Sequence, residues 1–110
     1  MTDLMDTIKG RRSVRKYQDK GVPEELLNQI LESVMWAPSW ANTQCWEVVV
    51  VKDAGVKEAL AEALPKTNPA RKHFTEAPVV LVLCGKLGSS GYYGGNVTTK
   101  FGDWFMFDLG

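Results

Sequence analysis

Apolar positions recur along this chain with two different periods, and the periods divide it into elements. Leu4, Met5 and Ile8 fall at helical spacing between Asp3 and Lys9 and predict one short amphipathic helix. In GVPEELLNQILESVMWAPSW, Leu26, Ile30 and Val34 form one row, with Leu27, Leu31 and Met35 beside it. That wide stripe predicts a helix packed on a core. Pro23 is placed for its first turn, with Glu24 and Glu25 following, and Pro38 disfavours helical geometry at Ala37, so the helix is expected to end near Trp36. WEVVVVKD is β-branched and predicts a buried strand over about 46–52. Asp53 is placed to cap a helix through AGVKEALAEAL, which has Val56, Leu60 and Leu64 on one side and is ended by Pro65, Asn68 and Pro69.

ARKHFTEA has room for one more helical turn. APVVLVLCG is apolar on both faces, which predicts a second strand central in its sheet. GKLGSSGYYGGN, rich in glycine and serine, reads as a mobile surface loop. TTKFGDWFMFDLG is apolar on nearly every side and predicts the start of a buried helix with Thr98 or Thr99 near its cap. That element has no polar last turn, so the pattern predicts either a longer protein or an end buried against a partner subunit. Four tryptophans and four phenylalanines strengthen this expectation, since a lone chain of 110 residues has little interior in which to bury them.

Composition narrows the function classes. Length allows at most one domain, spanning 1–110, and 45% hydrophobic with 24% charged residues is globular composition. Thirteen basic residues balance thirteen acidic ones, which argues against a general attraction to nucleic acid or to an anionic membrane surface. No apolar run reaches the roughly 18 residues of a membrane helix, and MTDLMDTIKGRR lacks a signal-peptide hydrophobic core, so a cytoplasmic protein is expected. Cys45 and Cys84 both sit beside apolar runs and read as two buried thiols. One histidine and two separated cysteines do not match zinc-ligand spacing.

Within this balance the charge is uneven: Lys9, Arg11, Arg12, Arg15, Lys16 and Lys20 crowd the first twenty positions. In RRSVR, residues Arg11, Ser13 and Arg15 alternate and in an extended segment face one way, with Arg12 opposite. Two guanidinium forks and a hydroxyl suit one phosphate; a solvated basic loop, with or without surface carboxylates as partners, or a nucleic-acid contact, are the alternatives. PSWANTQCW places Ser39, Asn42, Thr43 and Gln44 between a helix and a strand, at the end of a sheet where ligands usually sit. Such side chains suit the edge of a heterocycle, or else satisfy turn backbone. His73 reads as a surface residue, Trp46 as core, and Tyr92 and Tyr93 as loop aromatics that either lie over a substrate or are incidental.

The two motifs in this order and at this distance resemble the nitroreductase family of flavin mononucleotide enzymes. Family members carry a short helix, Arg-x-Ser-x-Arg/Lys, an amphipathic helix, Ala-Pro-Ser-x-x-Asn-x-Gln-x-Trp and a valine-rich strand; here RRSVR and APSWANTQCW fill the motifs without a gap from about Ile8 to Val51. EAPVVLVLCG resembles the next core strand, and the likeness covers the N-terminal half of a usual member. It implies an α+β fold, a sheet flanked by helices that stops before or within the central helix, working as a homodimer with the flavin at the interface. It implies FMN as cofactor, held at its phosphate by Arg11, Ser13 and the backbone around Arg12, with Arg15 by the pyrimidine side of the ring. Pro38, Ser39, Trp40, Asn42 and Gln44 are implied flavin contacts from the second subunit, and Lys72, with Asn68 nearby, a further contact. The implied reaction moves electrons from NADH or NADPH to a nitroaromatic, quinone or similar acceptor, with no catalytic side chain and no metal. The other readings are a non-catalytic or dimerising fragment without a complete flavin site, and a site for another phosphate-bearing ligand.

Overall fold

A computed structural model describes residues 3–110. They form two compact units, one made of the chain up to Lys20 with Asp53–Pro78, the other of Gly21–Lys52 with Val79–Gly110.

In the first unit, α1 (Leu4–Gly10) starts at Asp3, whose carboxylate accepts the Met5 N–H at 3.4 Å. Its other end would leave carbonyls without partners. The Arg12 guanidinium supplies donors there, to Lys9 O at 2.8 Å and Arg11 O at 2.9 Å. α3 (Ala54–Ala63) is capped as expected by Asp53, which accepts the Val56 N–H at 2.9 Å, and it stops where Leu64 turns extended ahead of Pro65. The ARKHFTEA segment closes into a 3₁₀ turn, Arg71–Glu76, packed against α3. Two long side chains fasten it: Arg71 donates to Leu64 O at 2.7 Å and Lys57 to Ala77 O at 2.9 Å.

The second unit opens with α2 (Glu24–Met35), closed at Trp36. Pro23 is its N-cap, with ψ 140°, rather than a first-turn residue; its carbonyl accepts the Leu27 N–H at 3.0 Å, so the helix begins one residue later than the proline rule suggests. Of the apolar stripe only Leu27 is buried, whereas Leu26, Ile30 and Met35 are exposed, so the expected core packing of α2 is met by one position in the stripe. β1 (Trp46–Val51) pairs antiparallel with β2 (Val80–Gly85), in a register running from Trp46 opposite Gly85 to Val51 opposite Val80. The expectation of a central β2 is corrected: among the described residues its sheet has two strands, and Leu83 and Cys84 are exposed. An apolar run reports how much surface a strand could bury, not whether this chain supplies the cover. Cys45 is buried as expected; Cys84, on β2, is not.

α4 (Phe105–Leu109) lies against β2 and β1. A Cβ at Gly85 would stand 2.5 Å from Phe105 Cδ2, so only glycine permits this approach. The helix starts later than the threonine cap predicts. Thr98 and Thr99 instead bond backward and forward, to Gly91 O at 2.9 Å and Gly102 O at 2.8 Å, and Gly102 at φ 75° ends that turn before a helix can begin. The glycine-rich segment before it also differs from expectation. It folds into a hairpin, β3 (Tyr92–Tyr93) on β4 (Asn96–Val97), through Gly94 and Gly95, both at positive φ as a two-residue primed turn requires. Ser90 at its base is fully buried. No helix among the described residues is long and apolar enough to cross a membrane.

Candidate functional site

The basic motif lies in the first unit. The chain leaves α1 at Arg11, whose backbone is extended at φ −60° and ψ 134°. Extended geometry sends alternate side chains to one side, and Arg11 Nη1 does reach Ser13 Oγ, at 3.4 Å. Arg12 turns the other way, onto the α1 carbonyls. Tyr17 folds back to donate to Val14 O at 3.2 Å. Arg11, Arg12, Ser13 and Arg15 are all exposed, and among the described residues none of the three arginines forms a salt bridge; the pairs present are Lys52 with Glu24 and His73 with Glu76. Arg11, Ser13 and Arg15 therefore offer donors that no carboxylate among the described residues takes up.

Lys72 belongs to the same unit but to another feature. With Lys66, Thr67, Asn68, Pro69 and Arg71 it lines an open groove of about 580 Å³. Arg71 spends one donor on Leu64 O, and Asn68 Oδ1 accepts the Ala70 N–H at 2.9 Å, which shapes the turn. His73 meets Glu76 at 2.9 Å and is a surface residue.

The loop motif lies in the second unit, between α2 and β1. After Pro38, Ser39 is extended and Trp40–Asn42 make a 3₁₀ turn. Ala41 (φ 47°), Asn42 (φ 54°) and Gln44 (φ 48°) all occupy the left-handed region, the only non-glycine residues at positive φ among those described. Such backbone persists only where the surroundings hold it. Ser39 Oγ accepts the Gln44 N–H at 3.0 Å, closing the loop on itself, and the Gln44 amide reaches Met35 O at 3.5 Å. Thr43 Oγ1 is buried without a hydrogen-bond partner. A buried hydroxyl left unpartnered costs free energy, so the loop retains an unused polar atom beside its strained backbone. Trp40 is half-buried and Asn42 exposed.

Two residues missed at the sequence level complete this loop. Asp108, on α4, accepts the Trp40 N–H on Oδ1 at 3.2 Å. Its Oδ2 accepts the Ser90 hydroxyl at 2.5 Å and lies 3.8 Å from the Cys45 sulfur. Burial, followed by the Asp108 carboxylate, pushes the Cys45 thiol above its ordinary range. The thiol is thus a protonated donor at neutral pH. Beside this carboxylate an apolar cavity of about 170 Å³ is lined by Val34, Ala37, Trp46, Leu83 and Leu109. The available signal was a single carboxylate in the otherwise apolar run WFMFDL, since an acidic group in such a setting needs donors.

Comparison with known proteins agrees with the order of these elements. The family model described as the nitroreductase family matches residues 8–106. An NADH dehydrogenase of Thermus thermophilus is 49% identical over 77 residues, covering 70% of this chain and 36% of that protein. An FMN reductase acting with NAD(P)H from Bacillus subtilis is 36% identical over 84 residues, covering 76% of this chain and 32% of that protein. The crystal structure of a nitroreductase family protein from Clostridium novyi superposes with a TM-score of 0.81 at 23% identity, over 98% of this chain and 57% of that one, a likeness of fold. The chain spans less than half the length of these curated relatives.

Proposed function

This chain belongs to the nitroreductase family, and from that premise we propose that it works as an FMN-dependent oxidoreductase, moving electrons from NADH or NADPH to a nitroaromatic, quinone or similar electron-poor acceptor. One observation carries the reading. Arg11 and Ser13 meet at 3.4 Å with Arg15 two residues on, and among the described residues no carboxylate pairs with either arginine. The segment keeps a fork, a hydroxyl and a second cation free, the donor set a phosphate monoester accepts. The residues present therefore fit the phosphate end of FMN.

Arg11 and Ser13 hold that phosphate, and Arg12 fixes the backbone around them through its bonds to Lys9 O and Arg11 O. Arg15 places a positive charge beside the pyrimidine side of the ring, where it favours the electron-rich state of the cofactor. Lys72, which lines the groove of the same unit, is a further cation for the cofactor. Pro38, Ser39, Trp40, Asn42 and Gln44 contact a flavin held by the second copy in a homodimer. The left-handed backbone at 41, 42 and 44 suits that role because it presents the loop in one conformation before any ligand arrives. When bound, FMN supplies the hydride and electron chemistry; the side chains bind and orient, and none needs to act as nucleophile or general base. The family's usual setting, a cytoplasmic enzyme with this chain forming part of a single domain, completes the proposal.

Titration of the purified chain with FMN, followed by flavin absorbance and fluorescence, tests it. Saturable binding is expected, and Arg15→Ala should weaken it about tenfold or more, the size of a lost charge-assisted contact. A protein that takes up no FMN overturns the reading. An Arg15→Ala variant with unchanged FMN affinity points to another phosphate-bearing ligand at Arg11 and Ser13.

A further inference from the structure

We propose that Asp108 is a positioning residue for the loop 38–45, acting on the flavin contacts of the preceding section through the loop and not by touching the ligand. The inference rests on the flavin reading for its consequence, though not for its geometry. Trp40 and Cys45 bracket the strained stretch, with Ala41, Asn42 and Gln44 between them in left-handed backbone. Both brackets end on the same carboxylate: the Trp40 N–H on Oδ1 at 3.2 Å, the Cys45 thiol beside Oδ2 at 3.8 Å. Left-handed non-glycine residues relax unless their flanks are fixed. One side chain 68 positions from Trp40 and 63 from Cys45 fixes both flanks.

Asp108 is itself held. The Ser90 hydroxyl, at 2.5 Å, takes up Oδ2 from the base of the hairpin, and Ser90 is fully buried. Gly91, next in sequence, sits at φ 84°, and a Cβ there would come within 2.7 Å of Gly102 O, so the chain can place Ser90 here only with glycine following. Three donors from two separate segments thus converge on two oxygen atoms. A carboxylate serves this better than any neutral side chain, because both oxygens accept and neither donates. The bland alternative, a helix carboxylate facing solvent, does not account for three donors arriving from the two ends of the strained stretch and from the hairpin base.

The test compares Asp108→Ala and Asp108→Asn with the natural chain, reading amide hydrogen exchange at Trp40 and Gln44 together with FMN affinity. Asp108→Ala should speed exchange at those two amides about tenfold or more while the β1–β2 amides change far less, and it should weaken FMN binding. Asp108→Asn keeps one acceptor oxygen and should restore much of the protection at Trp40. Should Asp108→Ala fail to fold, the asparagine variant decides alone: exchange at Trp40 between the natural rate and that of a fully exposed amide supports the inference. Unchanged exchange at Trp40 and Gln44 in either folded variant, or a rise shared equally by β1 and β2, overturns it. Exchange needs no flavin, so a chain that binds no FMN removes the proposed function and leaves this arm readable.

Discussion

Ala41 gives direct access to the strain in the loop. Its backbone lies at φ 47° and ψ 26°, a region that costs an L residue about 1–2 kcal/mol relative to right-handed geometry. The side chain is one exposed methyl group, so Ala41→Gly removes the steric penalty and almost no packing. Glycine also loosens the unfolded chain, which offsets about 0.4–1 kcal/mol of the gain. The balance is a stabilisation of about 0.5–1 kcal/mol, roughly 2–5 °C in melting temperature for a domain of this size. Ala41→Val reverses the sign. A β-branched side chain crowds the left-handed carbonyl more than a methyl does, and a loss of about 1–2 kcal/mol beyond alanine is expected. Thermal unfolding of the three proteins side by side, followed by circular dichroism, reads both shifts. A glycine variant that melts lower than the natural chain, with a valine variant that melts at the same temperature, would refute the left-handed assignment and with it the case for a preformed loop.

The two cysteines should behave oppositely. Burial and the Asp108 carboxylate raise the Cys45 thiol, whereas Cys84 is exposed, so iodoacetamide at neutral pH should label Cys84 first, and equal labelling by mass spectrometry would contradict the burial of Cys45. A thiol raised in the folded state contributes stability that is complete below its ordinary value of about 8.5 and is lost as pH climbs through the folded value, since the unfolded chain sheds that proton first. Denaturant midpoints should therefore fall above that pH, and Cys45→Val should flatten the decline. At Gly85, alanine would set a Cβ 2.5 Å from Phe105 Cδ2 and 3.1 Å from Leu109 Cδ1, an overpacking that costs about 1–3 kcal/mol; adding Phe105→Leu should recover part of it, and a Gly85→Ala protein of natural stability would place α4 elsewhere.

The parts of the fold legible in the sequence are those decided within a few residues. Asp53 announces its helix because capping is a contact to the next turn, and the cap is present. The valine run of β1 and its partner over 80–85 needed only pattern. Misreadings arose where one residue type has two uses. Glycine and serine in GKLGSSGYYGGN suggested mobility, yet two adjacent glycines between Tyr92–Tyr93 and Asn96–Val97 form a hairpin turn, and Ser90 is a buried anchor. Thr98 and Thr99 look like helix caps and instead close turns around Gly91 and Gly102. Apolar stripes on α2 and β2 indicate surface that could be buried, not which molecule buries it.

The candidate site was legible to a different degree in its two halves, for a physical reason. Alternation in RRSVR is visible in sequence, and Arg11 reaching Ser13 while Arg12 turns to Lys9 O agrees with it. The loop works against local preference. Ala41 and Gln44 have no affinity for left-handed backbone, and Asn42 alone tolerates it. No propensity argument could have placed them there, because their conformation is imposed from Asp108 and Ser39, and Asp108 lies 68 residues from Trp40. Local and global demands conflict at this loop, and such conflict is expected where a binding surface, rather than stability, sets the backbone. The same conflict makes PSWANTQ recognisable by family resemblance while opaque to first principles: the backbone it adopts is one that local propensity does not favour.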